Sequence, residues 1–318
     1  MENEKRAILH ESLTRGDKFL IADIPHTDLH CHGITSAPFA TLQKLHPGIK
    51  PPPQRFDSFQ AFNEYLRENV TPAITSVYAI QFLVQETFGR LISEGVCYTE
   101  ISLDLTIPEY LRISMEEYIE TIYKEVEKVR GRLKVCMEAG LDREIDPDKS
   151  LVLLKQAVKS EVFGSVDLYG NELAFPIESV VPIYRLAKDY GLKRKAHVGE
   201  FGTAQDVKEA VELLDLQAVQ HGIRSARDPF VMEFLRSRGV ALNICPQSNL
   251  SLGIVNDIRQ HPIRELLQNG LLVTINSDDF SLFGKSVGDQ LIDLYSNGVC
   301  SEDDVAQIID NGIQQLLL

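Results

Sequence analysis

The sequence predicts a single (β/α)8 TIM barrel spanning residues 1–318, with a lid-like insertion after strand one. Three observations carry that expectation. Short β-rich runs alternate with stretches of helical spacing, the pattern of a parallel sheet covered by helices. Eight such units in 318 residues match the length of a closed barrel. The one proline-rich stretch, Pro51-Pro-Pro53, falls inside the first strand-to-helix connection, so it reads as an insertion and not as a linker between domains.

In chain order, a helix over Glu4–Gly16 leads in. The apolar run Phe19-Leu-Ile-Ala-Asp-Ile24 reads as strand one, ending at Asp28-Leu-His30-Cys-His32-Gly33. The irregular stretch Thr35–Arg55, with Pro38, Pro47 and the Pro51–Pro53 run, has the length of a lid or binding loop. Phe56, Phe59, Phe62 and Tyr65 then recur every third residue, a helix whose aromatics read as core, and a further helix covers Ala73–Glu94. Strands follow at Val96–Leu103, Leu133–Gly140, Val162–Gly170, Lys193–Glu200, Ala218–Gly222, Val240–Pro246 and Leu271–Asp279. The helices between them are Glu116–Arg130, Ser150–Lys159, Ile177–Tyr190, Ala204–Leu214, Pro229–Arg238 and Ile263–Gln268, and a helical tail runs from Glu302 to Leu318.

Composition removes several function classes. A net charge of -14 argues against nucleic acid or an anionic membrane surface as partner. The start, Met1-Glu-Asn-Glu-Lys-Arg6, lacks the apolar core of a signal peptide, and no apolar run approaches the ~20 residues of a membrane span, so a cytoplasmic location is expected. The five cysteines are scattered and form no Cys-x-x-Cys, which speaks against a disulfide framework or a zinc ribbon. The partner expected is a small molecule; oligomeric state is not legible.

The chemistry concentrates at predicted strand ends. In a (β/α)8 barrel the carboxyl ends of the strands converge on one face. Here those ends carry His30 and His32, Gly170, His197 with Glu200, His221, and Asp278 with Asp279. Residues i and i+2 of a strand share a face, so His30 and His32 can share one cation. With His197 and one aspartate they supply a catalytic Zn²⁺ site that keeps a position open for water. Such a site lowers the pKa of its water from ~15.7 toward ~7. Two roles are left: His221 is placed to orient the water and take its proton, and Glu200, three residues past His197, is the candidate general acid. The other histidines, His10, His26, His46 and His261, read as structural or solvated.

Taken together, His30-Cys-His32, Asp167-Leu-Tyr-Gly170, His197-Val-Gly-Glu200, His221-Gly222, Cys245-Pro-Gln-Ser-Asn249 and Ser277-Asp278-Asp279 resemble the adenosine/adenine deaminases of the amidohydrolase superfamily, in family order and over most of the chain. The resemblance implies one zinc ion per chain on His30, His32, His197 and Asp278. It implies that Glu200 protonates purine N1, that His221 activates the water, that the Gly170 amide meets N3 and that a protonated Asp279 donates to N7. The implied reaction is hydrolytic deamination of a 6-aminopurine at C6, with release of ammonia. Strand four carries no lysine, which favours one metal over the lysine-bridged pair of other superfamily members.

Departures from the family pattern bear on the substrate. The position two after the second histidine, usually Asp or Glu, is Ile34, which cannot accept a hydroxyl hydrogen bond; a polar ribose group left unpaired there costs about 1–3 kcal/mol. Thr35 or Ser36 is the nearest polar substitute. Phe280 stands where proline is usual, and Val198 and Tyr169 stand for small alanines. Adenosine, a 5′-modified nucleoside and free adenine all stay open as substrates. Two other readings stay open as well: a mononuclear metal amidohydrolase acting on another amino-heterocycle or cyclic amide, and a catalytically inactive purine-binding barrel.

Overall fold

The computed structural model describes residues 1–316; Leu317 and Leu318, the end of the predicted tail, lie outside the described residues. Eight strands form one sheet in sequential order: β1 (His26–His32), β2 (Val96–Asp104), β3 (Lys134–Asp142), β4 (Phe163–Tyr169), β5 (Lys193–Val198), β6 (Ala218–His221), β7 (Ala241–Ile244) and β8 (Leu272–Ile275). Each pairs with the next in parallel. The chain just past β8 returns to β1 through a parallel bridge between Cys31 and Asp278, the Asp278 amide donating to the His30 carbonyl at 2.9 Å. That closure places the two ends of the predicted metal set side by side. The expected (β/α)8 barrel is therefore the observed fold.

Helices start where side chains can satisfy free backbone amides. Ser76, Ser114, Asp146 and Asp228 each accept such an amide, and Thr203, Ser286 and Ser301 form reciprocal capping boxes with an aspartate three residues on. The helices bury apolar stripes against the sheet, as in Val77–Ser93, whose Ile80, Leu83, Val84, Phe88 and Leu91 face inward. No described helix is long and apolar enough to cross a membrane.

Four expectations need correction. Phe19–Ile24 is not strand one. Asp17 accepts the Phe19 amide and caps a short helix, Lys18–Ile21, leaving Phe19 77% exposed; the strand is the histidine segment itself, His26–His32. The stretch Thr35–Arg55 is not wholly irregular, since Phe39–Leu45 is helical. Nor does it roof the site: within it only Thr35 lines the central cavity, and the roof comes from the following segment, through Phe59, Phe62, Leu66, Val70 and Ile74. The aromatic repeat accordingly divides: Phe56 and Phe62 are core, Phe62 also bordering the cavity, while Phe59 is half-buried and faces it. The helix expected from Ala73 starts at Val77, with Thr71–Ala73 a separate 3₁₀ turn. Helices at Pro246–Ser251 and Val287–Ser296 join the predicted set.

Beneath the site, the barrel interior holds a charged cluster. Lys195 on β5, fully buried, reaches Glu100 on β2 at 2.7 Å, Glu138 on β3 at 2.5 Å and the Leu29 carbonyl on β1 at 2.9 Å. Lys193 adds a second cation to Glu100 at 3.0 Å. Removing one partner from a buried ion pair strands the other charge, typically at about 3–5 kcal/mol. Lys195→Met is expected to destabilise the barrel by about that amount in urea unfolding; a change below about 1 kcal/mol would show that the cluster does not hold the strands together.

Candidate active site

The predicted residues converge at the carboxyl ends of the strands. His30 and His32 end β1, His197 lies near the end of β5, and Asp278 follows β8. One imidazole nitrogen from each of His30, His32 and His197 falls within 4.8 Å of the others. Asp278 Oδ1 lies 3.3 Å from His32 Nε2 and 3.6 Å from His30 Nε2. Ligands about 2.1 Å from one tetrahedral Zn²⁺ stand roughly 3.4 Å apart, so the donor set fits such an ion. The fit is supported by an orphan: His30 Nε2 is buried and has no hydrogen-bond partner among the described residues.

The outer nitrogens explain why the inner ones face the centre. His197 Nδ1 donates to Asp167 Oδ1 at 3.1 Å, and Asp167 also accepts from Ser102 Oγ at 3.0 Å. His30 Nδ1 donates to the Asn243 carbonyl at 3.3 Å. These bonds fix tautomer and ring orientation, leaving Nε2 of each ring for a cation. Asp278 is held in the left-handed region, φ 58°, as is His221, φ 63°. Non-glycine residues reach that region only when their surroundings impose it. For Asp278 the surroundings are its bond to His30, the Ser36 hydroxyl on its carbonyl at 3.3 Å, and Asp28, which accepts the Ser277 amide at 3.1 Å.

Glu200 and His221 sit beside this cluster. His221, at the end of β6 and 2% exposed, points Nε2 toward Asp278 Oδ2 at 3.9 Å and Nδ1 toward Glu200 Oε1 at 3.4 Å. Burial pushes its imidazole down to about 3, so it is neutral near pH 7 and able to accept a proton. Burial, with the Asp278 charge nearby, holds the Glu200 carboxyl well above the usual carboxylate range, so it can carry a proton to give.

Sequence reasoning missed the residues that hold Glu200. Glu172 accepts the amides of Gly199 and Gly202, each at 2.6 Å, and that of Phe201, fastening the loop that carries the acid. Gly199 has φ 74°, and a Cβ there would collide with Val207. Asn249 donates to Glu200 Oε1 at 2.7 Å. The position of Glu172 two residues past Gly170 was the available signal.

The remaining predicted residues line the same cavity of about 650 Å³, among them Ile34, Thr35, Gly170, Tyr169 and Asp279. Gly170, φ 90°, is backed by Asp142, whose Oδ1 would lie 2.6 Å from any Cβ, so only glycine fits there. Thr35 lines the cavity, and its hydroxyl donates to Asp279 Oδ1. Burial raises the Asp279 carboxyl to about 6. Tyr169 stands edge-on to His32, ring centroids 5.5 Å apart. Phe280 lies beneath the Arg90 guanidinium, 4.1 Å from its ring centroid, and Arg90 Nε donates to the Ser36 carbonyl at 2.9 Å. This stacking gives the unexpected aromatic a structural place.

Comparison with known proteins places this geometry among relatives. The adenosine deaminase family profile matches residues 31–317. A putative adenosine/adenine deaminase of Treponema pallidum is 29% identical over 279 residues, 87% of this chain and 93% of its own. An adenine deaminase of Marinomonas sp. is 31% identical over 228 residues, covering 70% of this chain and 68% of its own. The crystal structure of an adenine deaminase from Arthrobacter aurescens superposes with a TM-score of 0.84 at 25% identity, covering 91% of this chain and 93% of its own.

Proposed function

The chain belongs to the adenosine deaminase family, and on that premise we propose that it is a hydrolytic deaminase of a 6-aminopurine base or nucleoside, built as one catalytic unit over residues 1–318 and using one Zn²⁺. The observation that carries this reading is the meeting, beside one cavity, of the His30, His32, His197 and Asp278 donor set with the buried His221 and Glu200, where burial favours the uncharged form of both. A divalent cation bound by those four residues would make water a competent nucleophile near neutral pH.

The residues of the chain then divide the remaining work. His221 takes the proton of the water that adds to C6. Glu200 gives its proton to N1, so that the ring accepts the electron pair displaced from the C6–N1 bond. Asp279, protonated, donates to N7, and the Gly170 amide meets N3; together they hold the ring plane. The C6–O bond forms, the exocyclic C6–N bond breaks once that nitrogen has gained the proton held by His221, ammonia leaves, and the proton of the C6 hydroxyl returns to Glu200. The 6-oxopurine is the product.

The cavity wall narrows the substrate. Asp104, Asp142 and Glu144 line it, and among the described residues Arg67, itself exposed, is the one Lys or Arg that does. A 5′-phosphate would face like charge without a buried cation, which costs several kcal/mol. Ile34 offers an apolar contact where a 5′-hydroxyl would need an acceptor.

The test is ammonia release by zinc-analysed protein from adenine, adenosine, 5′-deoxyadenosine, 5′-methylthioadenosine and AMP. Neutral 6-aminopurines are expected as substrates, with AMP at least about 100-fold poorer in kcat/KM. No turnover of any of them with one zinc bound would refute the reading. Ile34→Asp is expected to raise kcat/KM for adenosine relative to 5′-deoxyadenosine by about tenfold, the worth of one restored hydrogen bond. An unchanged ratio would remove Ile34 from the sugar end of the site.

A further inference from the structure

We propose that Asn249 and His261 are positioning residues that direct the proton of Glu200 onto the oxygen facing the substrate, an inference that rests on Glu200 acting as the acid. Asn249, fully buried on the helix Pro246–Ser251, donates Nδ2–H to Glu200 Oε1 at 2.7 Å. Its own Oδ1 lies 3.1 Å from His261 Nε2, and His261 is 5% exposed. The three side chains form a line that leads away from the cavity. Glu200 lines that cavity, whereas Asn249 and His261 do not.

A side-chain amide can be seated either way round, and its two orientations have opposite consequences. With Nδ2 toward Glu200, Oε1 is an acceptor and the one proton of the carboxyl resides on Oε2. With Oδ1 toward Glu200, the carboxyl must donate its proton to Asn249, and that proton is withheld from the ring. His261 decides between them. Burial pushes its imidazole down to about 3, so it is neutral and carries a single N–H. His261 Nδ1 is buried with no partner among the described residues. A buried N–H without an acceptor is rarer than an acceptor without a donor, which puts the proton on Nε2. Nε2–H then holds Asn249 Oδ1 and turns its amide toward Glu200.

A second neighbour acts in the same sense. His221 Nδ1 lies 3.4 Å from the same Glu200 Oε1. If His221 accepts the water's proton on Nε2, its N–H is on Nδ1 and also faces Oε1. One hydrogen bond, from Asn249, and the unpartnered His221 Nδ1 at 3.4 Å thus both face Oε1, and among the described residues none is bonded to Oε2. His261 was read from the sequence as structural or solvated; its side chain stands two hydrogen bonds from the reacting atoms.

The experiment measures kcat, KM and bound zinc with the best neutral 6-aminopurine of the panel above. The variants are Asn249→Ala, His261→Ala, His261→Gln, Glu200→Gln and the double variant Asn249→Ala/Glu200→Gln. Asn249→Ala is expected to lower kcat about tenfold, the worth of one buried hydrogen bond, with KM and zinc content nearly unchanged. His261→Ala should lower kcat in the same way, and His261→Gln, which keeps a neutral donor, should restore it. In the Glu200→Gln background, Asn249→Ala should change kcat less than about twofold, because residues acting through one another are not additive. Equal losses in both backgrounds, or full activity in both Asn249→Ala and His261→Ala, would overturn the proposal. Should Asn249→Ala not fold, the His261 pair carries the test, and equal activity of the two variants would overturn it. Full activity of Glu200→Gln would instead refute the acid role itself and this inference with it.

Discussion

His197→Ala is expected to leave the purified protein without stoichiometric metal and without measurable deamination. Of the four proposed ligands, His197 alone comes from a strand between β1 and β8. The other three, His30, His32 and Asp278, all lie at the β1–β8 closure, bound to one another through the Cys31–Asp278 bridge. Removing His197 therefore opens one whole side of the donor set, while His30 Nε2 stays buried without a partner. Elemental analysis of dialysed protein checks the outcome, and full zinc occupancy would break the ligand assignment. A graded companion is Asp167→Asn. It keeps the shape of Asp167 but removes the charge that orients His197 through Nδ1. Losing a carboxylate that orients a ligating histidine costs about 10–100-fold in metal affinity. A chelator titration that matched the wild type would show that the Asp167–His197 bond plays no part in holding the cation.

The barrel and the gathering of His30, His32, His197 and Asp278 at its strand ends were legible because their signals are local. Strand alternation with helices is read from spacing, and the strand ends that bear His30, His197, His221 and Asp278 follow from it. What escaped depends on partners distant in sequence. Phe19-Leu-Ile-Ala-Asp-Ile24 has the composition of a strand, but the Asp17 cap captures the start of the run, and pairing with β2 begins only at His26. Lys195 looks like a misplaced surface residue until Glu100 and Glu138, from two other strands, close around it. The bond from the Thr35 hydroxyl to Asp279, 244 residues away, had no local signal either. Asn249 was quoted within a motif but given no task, since nothing in the sequence says that it meets Glu200. His261 could not be connected to the acid without the helix that seats Asn249 between them.

Glu200→Gln is expected to keep the metal and the fold and to lose at least about 10²-fold in kcat, the usual worth of a general acid. Gln preserves the size of the side chain and can still accept from Asn249, so the hydrogen bond at 2.7 Å need not be lost. What it cannot do is release a proton to N1. The pH profile separates this from a packing defect. Burial is the largest influence on the Glu200 carboxyl, and it favours the protonated form, raising its pKa well above the ordinary carboxylate value. The acid is therefore competent below that raised pKa and is lost as pH rises through it. Wild-type kcat should fall on the alkaline side, and Glu200→Gln, already lacking the proton, should show no such limb. If the limb persists in Glu200→Gln, another group titrates there. If instead the variant turns over at the wild-type rate, the proton reaches N1 by another route, and the meeting of Glu200, His221 and the ligand set serves binding alone.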